Sequence, residues 1–176
     1  MKISIRQESV ADYPIVFNLI EQGFRNEIVS DQKEQFLVER LRKSDGFIPE
    51  LSLVAEVNRE VVGYILLSKI SIETKLKNYT ALALAPVAVL PDFQKKGIGG
   101  QLIEEAHRIA REFGYQSIIL LGHEKYYPKF GYRPLNEFNI TLPFEAPKEN
   151  CMAIELVPDA LSNKIGTVVY PKEFFE

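Results

Sequence analysis

Apolar and polar positions recur along this chain with two different periods, and the two periods divide it into helices and strands. Ile3 to Arg6 is a short strand candidate. From Ser9 the spacing turns helical: Asp12 is the expected N-cap, Pro14 suits the first turn, and Ile15, Val16, Leu19 and Ile20 share one face. Gly23 is expected to end or kink this helix. A second helix is expected from near Asp31, with Glu34 at capping-box spacing, through Phe36, Leu37 and Leu41, and Gly46 stops it.

Leu51 to Val57 alternates as a strand, Asn58 to Glu60 turns the chain, and Val61 to Ile72 forms the second arm of an antiparallel pair. Glu73 to Asn78 is a polar loop. Tyr79 to Leu90 has the continuous apolar character of a buried strand but contains Pro86, which cannot donate a ladder hydrogen bond. The sheet is therefore expected to be interrupted or bulged there, with free backbone groups beside Val87 to Val89. Gly97 to Phe113 is the clearest helix: Ile98, Leu102, Ala106, Ile109, Ala110 and Phe113 keep helical spacing, Glu104 stands four residues before Arg108, and Gly114 provides the stop. Ser117 to Leu121 is a short apolar strand. Strand, helix and strand in this order make a right-handed crossover, so the two strands should run parallel and part near Pro86. Phe138 to Phe144, Met152 to Val157 and Gly166 to Tyr170 are expected as later strands.

The junction between the buried strand and the long helix carries the chemistry. Gln94, Lys95 and Lys96 lead into Gly97, Ile98, Gly99 and Gly100. Glycine lets the backbone turn tightly and approach a ligand closely. The unpaired amides at a helix N-terminus, with the positive end of the helix dipole, suit an anion. Two lysines before the turn add positive charge, so the segment has the makings of a diphosphate cradle. The dinucleotide fingerprint fails because Leu102 stands where its third glycine would be. The nucleotide P-loop fails because Lys96 precedes Gly97 and no Ser or Thr follows.

A chain of 176 residues, 46% hydrophobic and 26% charged, fits one domain over residues 1–176 with a sizeable core. A net charge of −3 argues against a nucleic-acid partner. No apolar run approaches membrane-spanning length, and Met1 to Arg6 does not read as a secretory leader, so the expected compartment is the cytoplasm. Cys151 is the only cysteine, which excludes an intrachain disulfide. With His107 and His123 in unlike contexts there is no metal signature.

Gln94-x-x-Gly97-x-Gly99 after a strand ending Val87-Ala88-Val89-Leu90-Pro91 resembles the acetyl-CoA signature of the GNAT superfamily of N-acetyltransferases. Tyr127, four residues before Gly131-Tyr132, matches a second motif of that superfamily. Ser52 to Glu56, Leu84 to Val89, Leu121-Gly122, the paired tyrosines and Gly166 to Tyr170 extend the resemblance to the YhbS-like branch over nearly the whole chain. The resemblance implies an α/β (α+β) fold, with a mixed, mostly antiparallel sheet, a splayed central parallel pair and flanking helices. It implies acetyl-CoA as cosubstrate, no metal, and direct transfer to an amine of a small molecule or peptide without a covalent enzyme intermediate. It assigns donor binding to Val87, Ala88, Val89, Gln94, Lys95, Lys96, Gly97, Ile98, Gly99 and Gly100, and the proton donor to Tyr127. Tyr126 is expected to face another way and only to pack.

Gly122-His123-Glu124 stands where that branch commonly has Gly-Asp-Pro, so a coenzyme A-binding module without turnover is the alternative. His123, Glu27, Glu50 and Glu56 are candidates for a general base, Cys151 is expected in the core, and His107 on the polar flank of its helix has no assigned role. The oligomeric state, monomer or homodimer, is open.

Overall fold

The computed structural model describes residues 1–176. In chain order its strands and helices are β1 (Ile3–Gln7), α1 (Tyr13–Phe24), α2 (Glu34–Leu41), β2 (Ser52–Val57), β3 (Glu60–Thr74), β4 (Asn78–Val89), α3 (Ile98–Glu112), β5 (Ser117–Leu121), β6 (Arg133–Pro134), β7 (Ile140–Thr141), β8 (Cys151–Glu155) and β9 (Gly166–Val169). All nine strands join one sheet in the order β1-β2-β3-β4-β5-β8-β6, with β9 pairing β3 and β7 pairing β9. Only β4–β5 and β7–β9 are parallel; the other pairs run antiparallel. This is the mixed α/β architecture expected from the sequence. No helix is long and apolar enough to cross a membrane.

Alternation along β2 and β3 separates two cores. Leu53, Ala55 and Val57 face α3, which contributes Ile98, Leu102, Ile103, Ala106 and Ala110. Val54, Tyr64 and Leu66 face the other side, against Val16, Leu19 and Ile20 of α1 and Val38 and Leu41 of α2. A third cluster, including Ile72, Ala83, Ile119 and Cys151, lies under the segments that follow β5. A fully buried leucine such as Leu102 contributes roughly 1.5–3 kcal/mol relative to exposure, so each helix is fastened chiefly by its apolar stripe.

Two glycines set how closely the helices approach the end of β4. A Cβ at Gly63 would stand 3.0 Å from both Ile98 and Leu102, so α3 rests directly on β3 there. A Cβ at Gly23 would stand 3.3 Å from the Ala88 Cβ and from the Val89 carbonyl. Gly23 stands in the last turn of its helix, which ends one residue on at Phe24, close to the end expected; it also gives α1 its close contact with β4.

Several local expectations are corrected. The second helix starts at Glu34, and no capping box forms: the Asp31 carboxylate accepts the Lys33 amide (2.9 Å) while Glu34 accepts the Ser30 hydroxyl. Asp12 precedes α1 but does not cap it, because its carboxylate accepts the amide (2.7 Å) and hydroxyl (2.8 Å) of Ser9 and a two-pronged pair from Arg6 (2.7 and 2.9 Å). Arg108 pairs with Glu105 and Glu112, not with Glu104. Of the strand expected over Phe138 to Phe144 only Ile140 and Thr141 pair; a 3₁₀ turn takes up Leu135–Phe138, and Phe144 leaves the sheet to pack against Tyr170 and Phe175.

Candidate active site

The site lies where β4 and β5 part. Their parallel pairing is confined to Leu82 opposite Ile118 and Ala83 opposite Ile119. Beyond it β4 stays with β3, through Val87, Ala88 and Val89 opposite Ile65, Tyr64 and Gly63. β5 stays with β8, through Leu121 opposite Cys151. The cause is legible at Pro86: the β3–β4 register slips between Ile65 and Leu67, so that Ala85 and Pro86 together face Leu66. The edge of β4 that looks toward β5 is left without a strand partner from Leu84 onward, and Val87 and Val89 lie half-buried along the opening.

At the end of β4 the chain makes a 3₁₀ turn, Pro91–Phe93, and then the glycine turn. Gln94 does not point freely into it, because its side-chain amide donates to the Val89 carbonyl (3.1 Å) and ties the turn to the strand end. Lys95 (φ 60°) and Gly97 (φ 82°) are both left-handed. Nothing lies within 4 Å of a Cβ built at Gly97, so the demand for glycine there comes from its dihedral angle and not from space. The first intrahelical bond runs from the Gln101 amide to the Gly97 carbonyl (3.1 Å). The amides of Ile98, Gly99 and Gly100 precede it, with no side-chain cap and no acidic residue in the first turn. The side chain of Ile98 is buried in the core, so only its backbone is presented. Lys96 rests over Phe93, with Nζ 5.2 Å from the ring centroid. Three unbonded amides, two left-handed residues and a flanking lysine give this turn the donors and charge that suit an anion such as a diphosphate.

The opposite wall comes from the 3₁₀ turn Tyr127–Phe130 after β5. Tyr126 and Tyr127 meet edge to face, with centroids 5.1 Å apart at 86°, so their rings point different ways. Tyr127 is turned inward: it is 7% exposed, belongs to the core shared with α3, and covers Gly122. Burial, then the charges of Tyr126 and Glu27, push its phenol well above the ordinary value. Tyr126 is turned toward the glycine turn, with its hydroxyl 3.1 Å from the point where a Cβ on Gly99 would stand. Burial raises its phenol as well.

His123 Nε2 stands 3.3 Å from Glu27 Oε2, which brings the loop after α1 to the loop after β5 beside Tyr127. Glu56 is committed to Arg6 on the far edge of the sheet (2.6 Å), and Glu50 lies in the turn that leads into β2. Cys151 is buried in the core as expected, with its thiol raised by burial. His107 is not on a polar flank. It is buried, its Nε2 lies 2.8 Å from the Tyr132 hydroxyl, and burial followed by the charge of Arg111 lowers its pKa to about 4.

Splayed parallel strands, a glycine turn at a helix N-terminus and an aromatic turn across the opening define a class, and comparison with known proteins gives the same class. Residues 49–134 match the acetyltransferase (GNAT) domain model. The chain is 34% identical over 119 residues to the uncharacterized N-acetyltransferase YjhQ of Escherichia coli, spanning 67% of this chain and 66% of that protein. It is 28% identical over 171 residues to the uncharacterized N-acetyltransferase YhbS of the same organism, 97% of each. The crystal structure of E. coli YhbS in complex with CoA superposes with a TM-score of 0.89 at 25% identity, covering 100% of this chain and 93% of that one. A GNAT family acetyltransferase from Brucella melitensis in complex with acetyl-CoA does so with a TM-score of 0.80 at 31% identity, covering 98% of both. The chain belongs to the GNAT family of acetyltransferases and is a homologue of YhbS.

Proposed function

We propose that this protein transfers the acetyl group of acetyl-CoA directly to an amine of a small molecule or peptide in the cytoplasm. The observation that carries the reading is the parting of β4 and β5 beside the unbonded amides of Ile98, Gly99 and Gly100. It is supported by the solved structures of similar proteins, which hold CoA or acetyl-CoA.

In this reading the amides of Gly97 to Gly100, with Lys95 and Lys96, hold the diphosphate, while Gln94 braces the turn. The open edge of Val87, Ala88 and Val89 takes the pantetheine amides as a neighbouring strand would. The thioester supplies an activated acetyl group and a thiolate leaving group. Tyr127 supplies the proton that the thiolate needs: its buried phenol is held in the neutral, donating form at physiological pH. A free backbone amide near Val89 offers a hydrogen bond to the carbonyl oxygen as charge grows there. Approximation of amine and thioester does the rest. His123, paired with Glu27 in the loop beside Tyr127, is the base candidate of this reading.

The test is thiol release from acetyl-CoA across a panel of amines, peptides and aminoglycosides. Acceptor-dependent release establishes the transferase. Tight acetyl-CoA binding with no release for any acceptor would favour a coenzyme A-binding module instead.

A further inference from the structure

We propose that Tyr126 and Lys129 form the outer wall of the diphosphate site, the Tyr126 hydroxyl donating to a phosphate oxygen and Lys129 supplying charge; this rests on the reading above that acetyl-CoA binds at the glycine turn. The two later glycines of that turn make room for side chains of the aromatic turn after β5. A Cβ at Gly99 would meet the Tyr126 hydroxyl at 3.1 Å, and one at Gly100 would meet Phe130 Cζ at 3.3 Å. Neither glycine has a positive φ, so backbone conformation does not require them. They let the aromatic turn after β5 lie directly on the first turn of α3.

The Tyr126 ring is held by two aromatic neighbours and its backbone by a hydrogen bond. Tyr127 meets it at 86° and Phe130 at 67° with centroids 5.3 Å apart, and its amide donates to the His123 carbonyl (3.1 Å). Its hydroxyl donates to no protein acceptor, although it is delivered to the one place on α3 where backbone amides are also without acceptors. Lys129 lies over the outer face of the same ring, with Nζ 4.1 Å from the Tyr126 centroid and 5.2 Å from that of Phe130. Lys96, over Phe93, stands on the other arm. A hydroxyl and several amides that all donate, with a lysine from each arm and no carboxylate in the helix turn, call for a ligand group that only accepts and carries negative charge. A diphosphate is such a group; the acyl end of the donor is not.

Calorimetric titration of the full chain with acetyl-CoA and, separately, with CoA tests this, because the two ligands share the diphosphate and differ at the acyl end. Tyr126→Phe should weaken both by the same factor, about tenfold for a hydrogen bond to a charged acceptor. Lys129→Met, which keeps the stem over the ring, should weaken both a fewfold, with the loss shrinking as salt rises. Thermal unfolding of both variants near the wild-type midpoint establishes that they fold. Unchanged affinity in Tyr126→Phe overturns the proposal, and so does a loss confined to acetyl-CoA, which would place the hydroxyl at the acyl end. If the wild-type protein binds neither ligand, the functional reading itself is overturned, a result distinct from the other two.

Discussion

Tyr127 and Gly122 share one volume: ring carbon Cδ2 of Tyr127 lies 2.8 Å from the point where a Cβ on Gly122 would stand. Gly122 has no freedom to yield. Its amide donates to the Asn150 carbonyl (2.9 Å), and its own carbonyl accepts the Asn150 side-chain amide (2.9 Å). Gly122→Ala should therefore displace the Tyr127 ring. The expected result is a fall in kcat of about 10²-fold, the scale of a 1 Å misplacement, with acetyl-CoA affinity little changed. Steady-state kinetics alongside calorimetry read the two effects separately.

Tyr127→Phe removes the proton and keeps the ring. If Tyr127 is the acid, kcat falls by on the order of 10²–10⁴ while donor affinity holds. Because burial first, and then the Tyr126 and Glu27 charges, raise this phenol above its ordinary value, it remains protonated through the alkaline range. The kcat profile should show no alkaline fall belonging to Tyr127 up to about pH 10, the ordinary phenol value. A limb between neutrality and that value that vanishes in Tyr127→Phe would keep Tyr127 as the acid and overturn the raised phenol.

What could be read from sequence here was whatever a single segment decides. Glycines at 97, 99 and 100 after an apolar strand announce a turn, and Pro86, lacking an N–H, announces where a ladder must fail; both stand in the structure. Partner choice over long separations could not be read that way. Arg6 joins Asp12 to Glu56, and the buried Arg42 pairs with Glu8, whose carboxylate also accepts the Ser52 hydroxyl (2.6 Å), itself 2.9 Å from Tyr64. Nothing in the spacing of those residues foretells the pairs. The place of Tyr126 could not be read for a related reason. That the two rings diverge follows from their adjacency, but where the outer ring lands depends on how the turn after β5 meets α3.

His107 offers a test of stability against pH. Its folded pKa is lowered to about 4, first by burial and then by Arg111, while the unfolded chain titrates near the ordinary value of 6.5. Between those values the unfolded state binds more protons, so the stability His107 contributes is complete above 6.5 and is lost as pH falls toward 4. A loss on the order of 1–3 kcal/mol is expected over that window. His107→Gln keeps a partner for the Tyr132 hydroxyl and removes the titration, so its unfolding midpoint should fall less steeply from pH 7 to 4. Equal slopes in both proteins would mean that the buried imidazole does not drive the effect.

The glycine turn makes the sharpest prediction, because stability and donor binding should move in opposite directions. Gly97 is left-handed with open space around its Cβ position, so Gly97→Ala pays only for its dihedral angle, about 1–2 kcal/mol of stability. Gly99 is helical and sits in the first turn of α3, ahead of the first intrahelical bond. Replacing a helical glycine recovers backbone entropy, and an acid near a helix N-terminus is favoured by the dipole; each effect is worth about 0.3–1 kcal/mol. Gly99→Asp has one local cost, the 3.1 Å approach of its Cβ to the Tyr126 hydroxyl, which a shift of a few tenths of an ångström at the end of that side chain relieves. The variant should unfold at or above the wild-type temperature. Its carboxylate, however, fills the anion turn with negative charge, so acetyl-CoA affinity should drop by about 10²-fold or more, the effect of placing like charge against a diphosphate. A stable Gly99→Asp protein that binds acetyl-CoA as tightly as wild type would remove the glycine turn as the donor site.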